Sequence, residues 1–153
     1  MAIPVGLSTS SVYPGNATVA FRTAAELGYD GVEIMVWSER VTQDAVALGR
    51  LAEHYDQPVL AVHAPTLILT RTVFGTDPWE KIDRSVALAE ALGAPTVVLH
   101  PPFFWQTRYA RQFVRGVDMR EQTGTVKLAV ENMFTWRPRQ PHSTRDFQAY
   151  APT

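Results

Sequence analysis

Two imidazoles and a carboxylate close three short apolar runs: Val62-His63-Ala64-Pro65, Leu99-His100-Pro101-Pro102 and Val130-Glu131-Asn132-Met133. Imidazole nitrogens and a carboxylate oxygen make a first shell for Zn²⁺ or Mn²⁺, with positions left for water or substrate. The chain has no cysteine, so His, Asp and Glu are its strong metal ligands. A single strand-terminal histidine is ordinarily explained by a hydrogen bond to the next loop. Three such residues at one level of three strands predict a partial metal or substrate site at His63, His100 and Glu131, with Glu131 also the candidate catalytic acid/base.

The elements that must position them alternate. Runs rich in Val, Ile and Leu at 3–8, 31–36, 59–63, 96–100 and 127–131 read as strands covered on both faces. Between them lie helical signals, clearest where Asp77 stands as N-cap, Pro78 at the first helical position and Glu80 three residues after the cap. Ile82, Val86 and Ala89 then recur on one face, and Leu92-Gly93 closes that helix as Leu27-Gly28 closes the first. A second helix follows Thr42, buries Leu48, Leu51, Ala52 and Tyr55, and is stopped by Pro58. A fourth runs from about Thr107 to Gln122.

Alternating β and α units imply a parallel sheet, because parallel neighbours need a crossover. Strand starts near 3, 31, 59, 96 and 127 give about 31 residues per unit, and eight such units make the roughly 250 residues of a closed barrel. Length favours an open five-stranded sheet. The turn after the first strand has no G-x-G-x-x-G, and no P-loop occurs. Only the residues at the strand ends can argue for a barrel, and in both architectures active sites gather at the carboxyl ends of parallel strands.

Gly28-Tyr29-Asp30-Gly31-Val32-Glu33-Ile34, His63-Ala64-Pro65, Leu99-His100-Pro101-Pro102 and Val130-Glu131-Asn132-Met133, in this order and spacing, resemble the xylose isomerase-like TIM barrel superfamily. That superfamily holds sugar and sugar-phosphate isomerases and epimerases beside endonuclease IV-type abasic-site nucleases. The resemblance implies an α/β fold: residues 1–153 as one partial (β/α)8 barrel of the first five βα units. It implies metal ligation by Glu131. His63 and His100 correspond to zinc ligands of the nuclease branch and to pocket residues of the isomerase branch. The further ligands that family members draw from strands six, seven and eight have no counterpart here. The chain therefore reads as truncated, with its activity expected to be impaired. For the complete parent, the implied chemistry is proton transfer through an enediol at a divalent metal.

Other residues have two readings. Glu33 and Trp37 are candidates to contact sugar hydroxyls, although Glu33 could equally pair with an arginine. Phe103, Phe104 and Trp105 follow His100; aromatic faces stack on sugars or bases, or pack against the fourth helix. His54 and His142 read as surface residues. Arg108, Arg111 and Arg115 share one helix face, with Arg120, Arg137, Arg139 and Arg145 beyond. A nuclease would want such cations, but Asp118, Glu121 and Asp146 dilute them.

With 14 basic and 15 acidic side chains the net charge is -1, so no global field holds a polyanion. The expected partner is a sugar or sugar phosphate rather than nucleic acid. No apolar stretch approaches the ~20 residues that span a bilayer, and the lack of cysteine suits a reducing cytoplasm. A third reading is self-association, because a half-barrel would expose two strand edges.

Overall fold

The computed structural model describes residues 3–65 and 70–132. The positions from 133 onward, which include Arg137, Arg139, His142, Arg145 and Asp146, lie outside the described residues. Five strands, β1 (Gly6–Ser8), β2 (Gly31–Met35), β3 (Val59–His63), β4 (Thr96–Leu99) and β5 (Lys127–Val130), alternate with α1 (Ala17–Leu27), α2 (Ala45–Tyr55), α3 (Pro78–Leu92) and α4 (Thr107–Thr123). The strands are all parallel and pair in the order β1-β2-β3-β4-β5.

This order settles what length alone left open. A doubly wound sheet reverses its strand order at a switch point, whereas a sequential order winds one way. Right-handed crossovers in a sequential sheet place every helix on the same face, and α1, α2 and α3 pack on one another accordingly. The protein is α/β, with the five-unit singly wound arrangement of a TIM barrel.

The helix-facing side of the sheet holds the core. Val32, Ile34, Val36, Val62, Val97 and Leu99 are fully buried against Phe21, Leu48, Ile82 and Ala89. On the opposite side Glu33, Met35, Ala61 and Val98 are half-buried, and Ala129 is exposed. The expectation of strands covered on both faces thus holds on the helix side only. β5, at the sheet edge, buries Leu128 and exposes its other three residues.

One register shift governs the open side. Val32 pairs with Val59, but Glu33 pairs with Ala61, Ile34 with Val62 and Met35 with His63. Leu60 is therefore an extra residue in β3. Side chains alternate along a strand, so one inserted residue inverts the alternation of all that follow. Carried on from Val59, the unshifted pairing would place Val62 beside Met35 and leave His63 on the helix side. The shift turns Val62 into the core and His63 onto the open face.

Helix ends follow their local chemistry. Asp77 accepts from the N–H groups of Trp79 and Glu80, and Gly28 and Gly93 end α1 and α3 at φ of 73° and 68°. Two boundaries differ from the sequence reading. Thr42 does not begin α2: its hydroxyl accepts from Trp37 N–H and donates to Glu39 carbonyl, while Asp44 caps the helix. Asp56, at φ 52°, ends α2 two residues before Pro58. Leu51, Ala52 and Tyr55 are half-buried rather than buried. The first strand starts at Gly6, not residue 3, with Ile3 86% exposed. Gly116 is a packing requirement, because a Cβ there would run into the Trp79 ring.

Two substitutions measure this scaffold. Asp77→Ala removes an acceptor for two N–H groups and is expected to cost about 1 kcal/mol in urea unfolding. Ile82→Ala empties a fully buried site and is expected to cost about 2–5 kcal/mol. Equal small losses from both would contradict the assignment of α3 as a core helix.

Candidate metal centre

β3, β4 and β5 deliver their last side chains to one point. His63 ends β3, while His100 and Glu131 directly follow β4 and β5. Glu131 is held in register by its N–H donating to Leu99 carbonyl at 2.8 Å. Nε2 of His100 lies 2.8 Å from Glu131 Oε2 and Nε2 of His63 lies 3.4 Å from the same oxygen. The two imidazoles meet edge to face, with centroids 4.9 Å apart. One ligand atom from each residue fits within a mutual separation of 4.8 Å.

Burial is unequal and chemically useful. Both imidazoles are buried, whereas the Glu131 side chain is 44% exposed. The site is thus anchored in the sheet and open at its carboxylate.

The donor set fits a divalent cation on two observations. Bonds of ~2.1 Å in tetrahedral geometry separate neighbouring donors by roughly 3.4 Å, the distance from His63 Nε2 to Glu131 Oε2, while His100 Nε2 sits closer to that oxygen, at the 2.8 Å of a hydrogen bond. In addition, His63 Nδ1 lies 3.3 Å from Ala64 carbonyl. Donating there puts the ring proton on Nδ1 and turns the Nε2 lone pair toward the carboxylate, the orientation that a ligating histidine needs.

Burial, reinforced by the neighbouring His63, holds the His100 imidazole below its ordinary 6.5, against the opposing pull of Glu131. Two cavities open at this end of the sheet, one of them beside the cluster. One, of about 470 Å³, is lined by His100, Arg71, Lys81, Trp105, Gln106 and Tyr109 among others. The second, of about 650 Å³, lies beyond the ends of β1 and β2 and includes Trp37, Met35, Ser10, Tyr13 and Glu39.

The remaining sequence-selected residues separate. Glu33 lies in mid-strand in the row of Ser8 and Ala61, below the Met35–His63 row. It pairs with no arginine among the described residues. Trp37 lines the second cavity, away from His100. Phe103 and Trp105 stack in parallel at 4.5 Å, and Phe104 meets Trp105 edge-on at 4.9 Å. Phe104 and Trp105 stay 46% and 50% exposed; they pack on each other rather than into the core below α4. Arg108, Arg111 and Arg115 are exposed along α4, while Arg120 grips Asp83 and covers Trp79. His54 is exposed on α2.

Sequence reasoning passed over Arg71, Lys81 and Tyr109. Lys81 carried a signal, because it falls on the buried stripe of α3 with Ser85, Leu88 and Leu92. Tyr109 packs between Trp79 and Phe113, and burial pushes its phenol well up.

A pH dependence follows from His100. Its folded-state pKa lies below its unfolded value, so the unfolded chain binds more protons below about 6.5 and stability falls as pH drops from about 7 to about 5.5. In EDTA, urea midpoints are expected to decline over this window, and His100→Asn is expected to flatten the decline. A wild-type midpoint constant across the window would contradict a buried neutral imidazole.

Known proteins agree with the fold and the length of the match. The chain is 57% identical over 136 residues to the uncharacterized protein Rv0498 of Mycobacterium tuberculosis, covering 89% of this chain and 49% of that protein. It is 56% identical over 135 residues to the uncharacterized protein ML2432 of Mycobacterium leprae, covering 88% and 48%. The chain thus spans about half the length of these curated relatives. The crystal structure of an AP endonuclease, family 2, from Brucella melitensis superimposes with a TM-score of 0.58 over 86% of this chain and 56% of that one, at 19% identity, a likeness of fold. No helix among the described residues is long and apolar enough to cross a membrane. Residues 21–150 match the family described as the xylose isomerase-like TIM barrel, and with the sequential parallel sheet this places the chain in that family.

Proposed function

We propose that His63, His100 and Glu131 are part of a divalent-metal centre, with Zn²⁺ or Mn²⁺ as the cation, serving proton transfer in a sugar or sugar-phosphate isomerase or epimerase. The observation that supports this reading is the convergence of two buried imidazoles on one exposed carboxylate from three consecutive strands.

The bound cation would supply Lewis acidity toward the oxygens of a ketose or aldose, acidifying the adjacent C–H. The chain's own residues set the rest. His63 and His100, held by the sheet, keep their Nε2 atoms in fixed positions and take no part in proton movement. Glu131 has its carboxylate at the open mouth, where a substrate reaches it. One of its oxygens lies against the imidazoles; the carboxylate is the group placed to move a proton at one face of the enediol, the opposite face needing a second acid/base group. The stacked Phe103 and Trp105 stand beside this mouth and offer an apolar face to a sugar ring.

Proton transfer on both faces of a planar intermediate needs a second carboxylate, and among the described residues Glu131 is the one carboxylate in the cluster. The 153-residue chain is therefore expected to bind metal but to show little isomerase turnover alone. The test is thermal unfolding in EDTA and then in Zn²⁺ or Mn²⁺. Cation at a hundredfold excess over its dissociation constant is expected to add about 2.7 kcal/mol. His100→Ala is expected to abolish that response. A midpoint indifferent to both metals would overturn the reading.

A further inference from the structure

The cavity of about 470 Å³ beside His100 has Lys81 and Arg71 in its wall, and none of the described residues that line it is acidic, the nearest carboxylate to His100 being that of Glu131 at 2.8 Å. Lys81 is the central observation. Its residue is only 6% exposed, and its ammonium donates to the carbonyls of Thr70 at 2.7 Å and Val73 at 2.6 Å. Among the described residues no carboxylate oxygen lies within 4 Å of it. Glu80, the acidic residue next to it in sequence, has its carboxylate 3.6 Å from Arg84. Carbonyl dipoles orient a buried ammonium without cancelling its charge, which Glu80 opposes electrostatically from the adjacent position in sequence.

Two further features add to that charge. Arg71 lines the same cavity, is exposed, and forms no ion pair among the described residues. The 17-residue α4 begins beside the cavity: its N-cap Gln106 and Tyr109 line it, while Thr107 and Arg108 of the same turn line an adjoining cavity with Asp77. Asn16, Asp44 and Asp77 cap the other three helices with side-chain oxygens. Gln106 instead turns its Oε1 back to Phe103 N–H at 2.8 Å, leaving the first turn of α4 without a side-chain cap or an acidic residue. An uncapped helix N-terminus carries about half a positive charge.

We propose that this cavity is a binding subsite for a phosphoryl anion, with Lys81 and Arg71 as its cations and the α4 N-terminus as its dipole. A phosphate monoester carries roughly -1.5 to -2 charges at neutral pH, which suits two cations better than a single carboxylate does. Arg71, at the exposed side, supplies forked N–H donors for its oxygens. Lys81, at the buried side, contributes a fixed charge. The aromatic wall of Phe103 and Trp105 lies against the carbon skeleton that bears the phosphate. The proposal rests on the reading of the metal centre only in assigning the anion to that centre's substrate; the subsite itself needs no metal.

The test is a calorimetric titration of the 153-residue chain with sodium phosphate in EDTA, at ionic strength held constant with chloride. Tryptophan fluorescence, to which Trp105 contributes as one of four tryptophans, provides a second readout. One saturable site is expected, with Arg71→Ala weakening it about tenfold or more while the melting curve stays that of the wild type. Lys81→Met is expected to weaken it at least as much, and Lys81→Arg to restore part of the affinity in a chain that folds. Failure to saturate at tens of millimolar phosphate, or an affinity unchanged by Arg71→Ala, would overturn the subsite. Because metal is absent throughout, that outcome would not bear on the His63, His100 and Glu131 centre, which the metal-dependent melt tests separately.

Discussion

The site depends on one extra residue in β3. Without the register shift at Leu60, the alternation that buries Val59 would carry Val62 to the open face and His63 into the core against the helices. His63 would then lie on the opposite side of the sheet from His100 and Glu131. The irregularity costs local ladder regularity, and the compensation is visible on both sides: Val62 fills a fully buried core position, and His63 joins the row of Met35 and Val98. A bulge beside a functional site is a recurrent way of re-aiming a side chain. Here it decides whether three donors can share one cation.

The scaffold behind the sheet is held by apolar contact, and its polar ties are concentrated at the carboxyl ends of the strands. Lys81 binds residues 70 and 73 to α3, so the segment before that helix is fastened to the same body that supports β3 and β4. Trp79 packs against the bare backbone of Gly116 and is covered by Arg120, which locks α3 to α4. These ties hold Lys81 and Tyr109, two residues of the cavity wall beside His100, on packed helices, which keeps their positions fixed for a ligand.

Much of this was legible in the residues. Five apolar runs bounded by turn residues located five strands, and Asp77-Pro78 and the two Leu-Gly pairs marked the ends of helices through rules that act within a few residues. His63, His100 and Glu131 were legible because each ends a run. The bulge was not: no glycine or proline marks Leu60, and its cause is the pairing with β2. Thr42 and Asp44 are both capping types two residues apart, and tertiary contacts chose between them by giving the Thr42 hydroxyl to the Trp37 turn. The half-exposed face of β5 was also hidden, since apolar residues such as Val130 read as buried whatever lies beside them. Glu33 read as a sugar contact beside Trp37, but the register puts it one row below Met35 and His63.

Among the described residues β5 pairs with β4 alone, and it presents Glu131 just beyond its last paired residue. Opening of an edge strand requires far less than global unfolding. Separation of β5 from β4 would carry the carboxylate away while leaving both imidazoles seated in the sheet. Amide exchange along Lys127–Val130 and occupancy of the ligand set would then report the same local event, and any cation held by all three residues would act as a clasp that slows it.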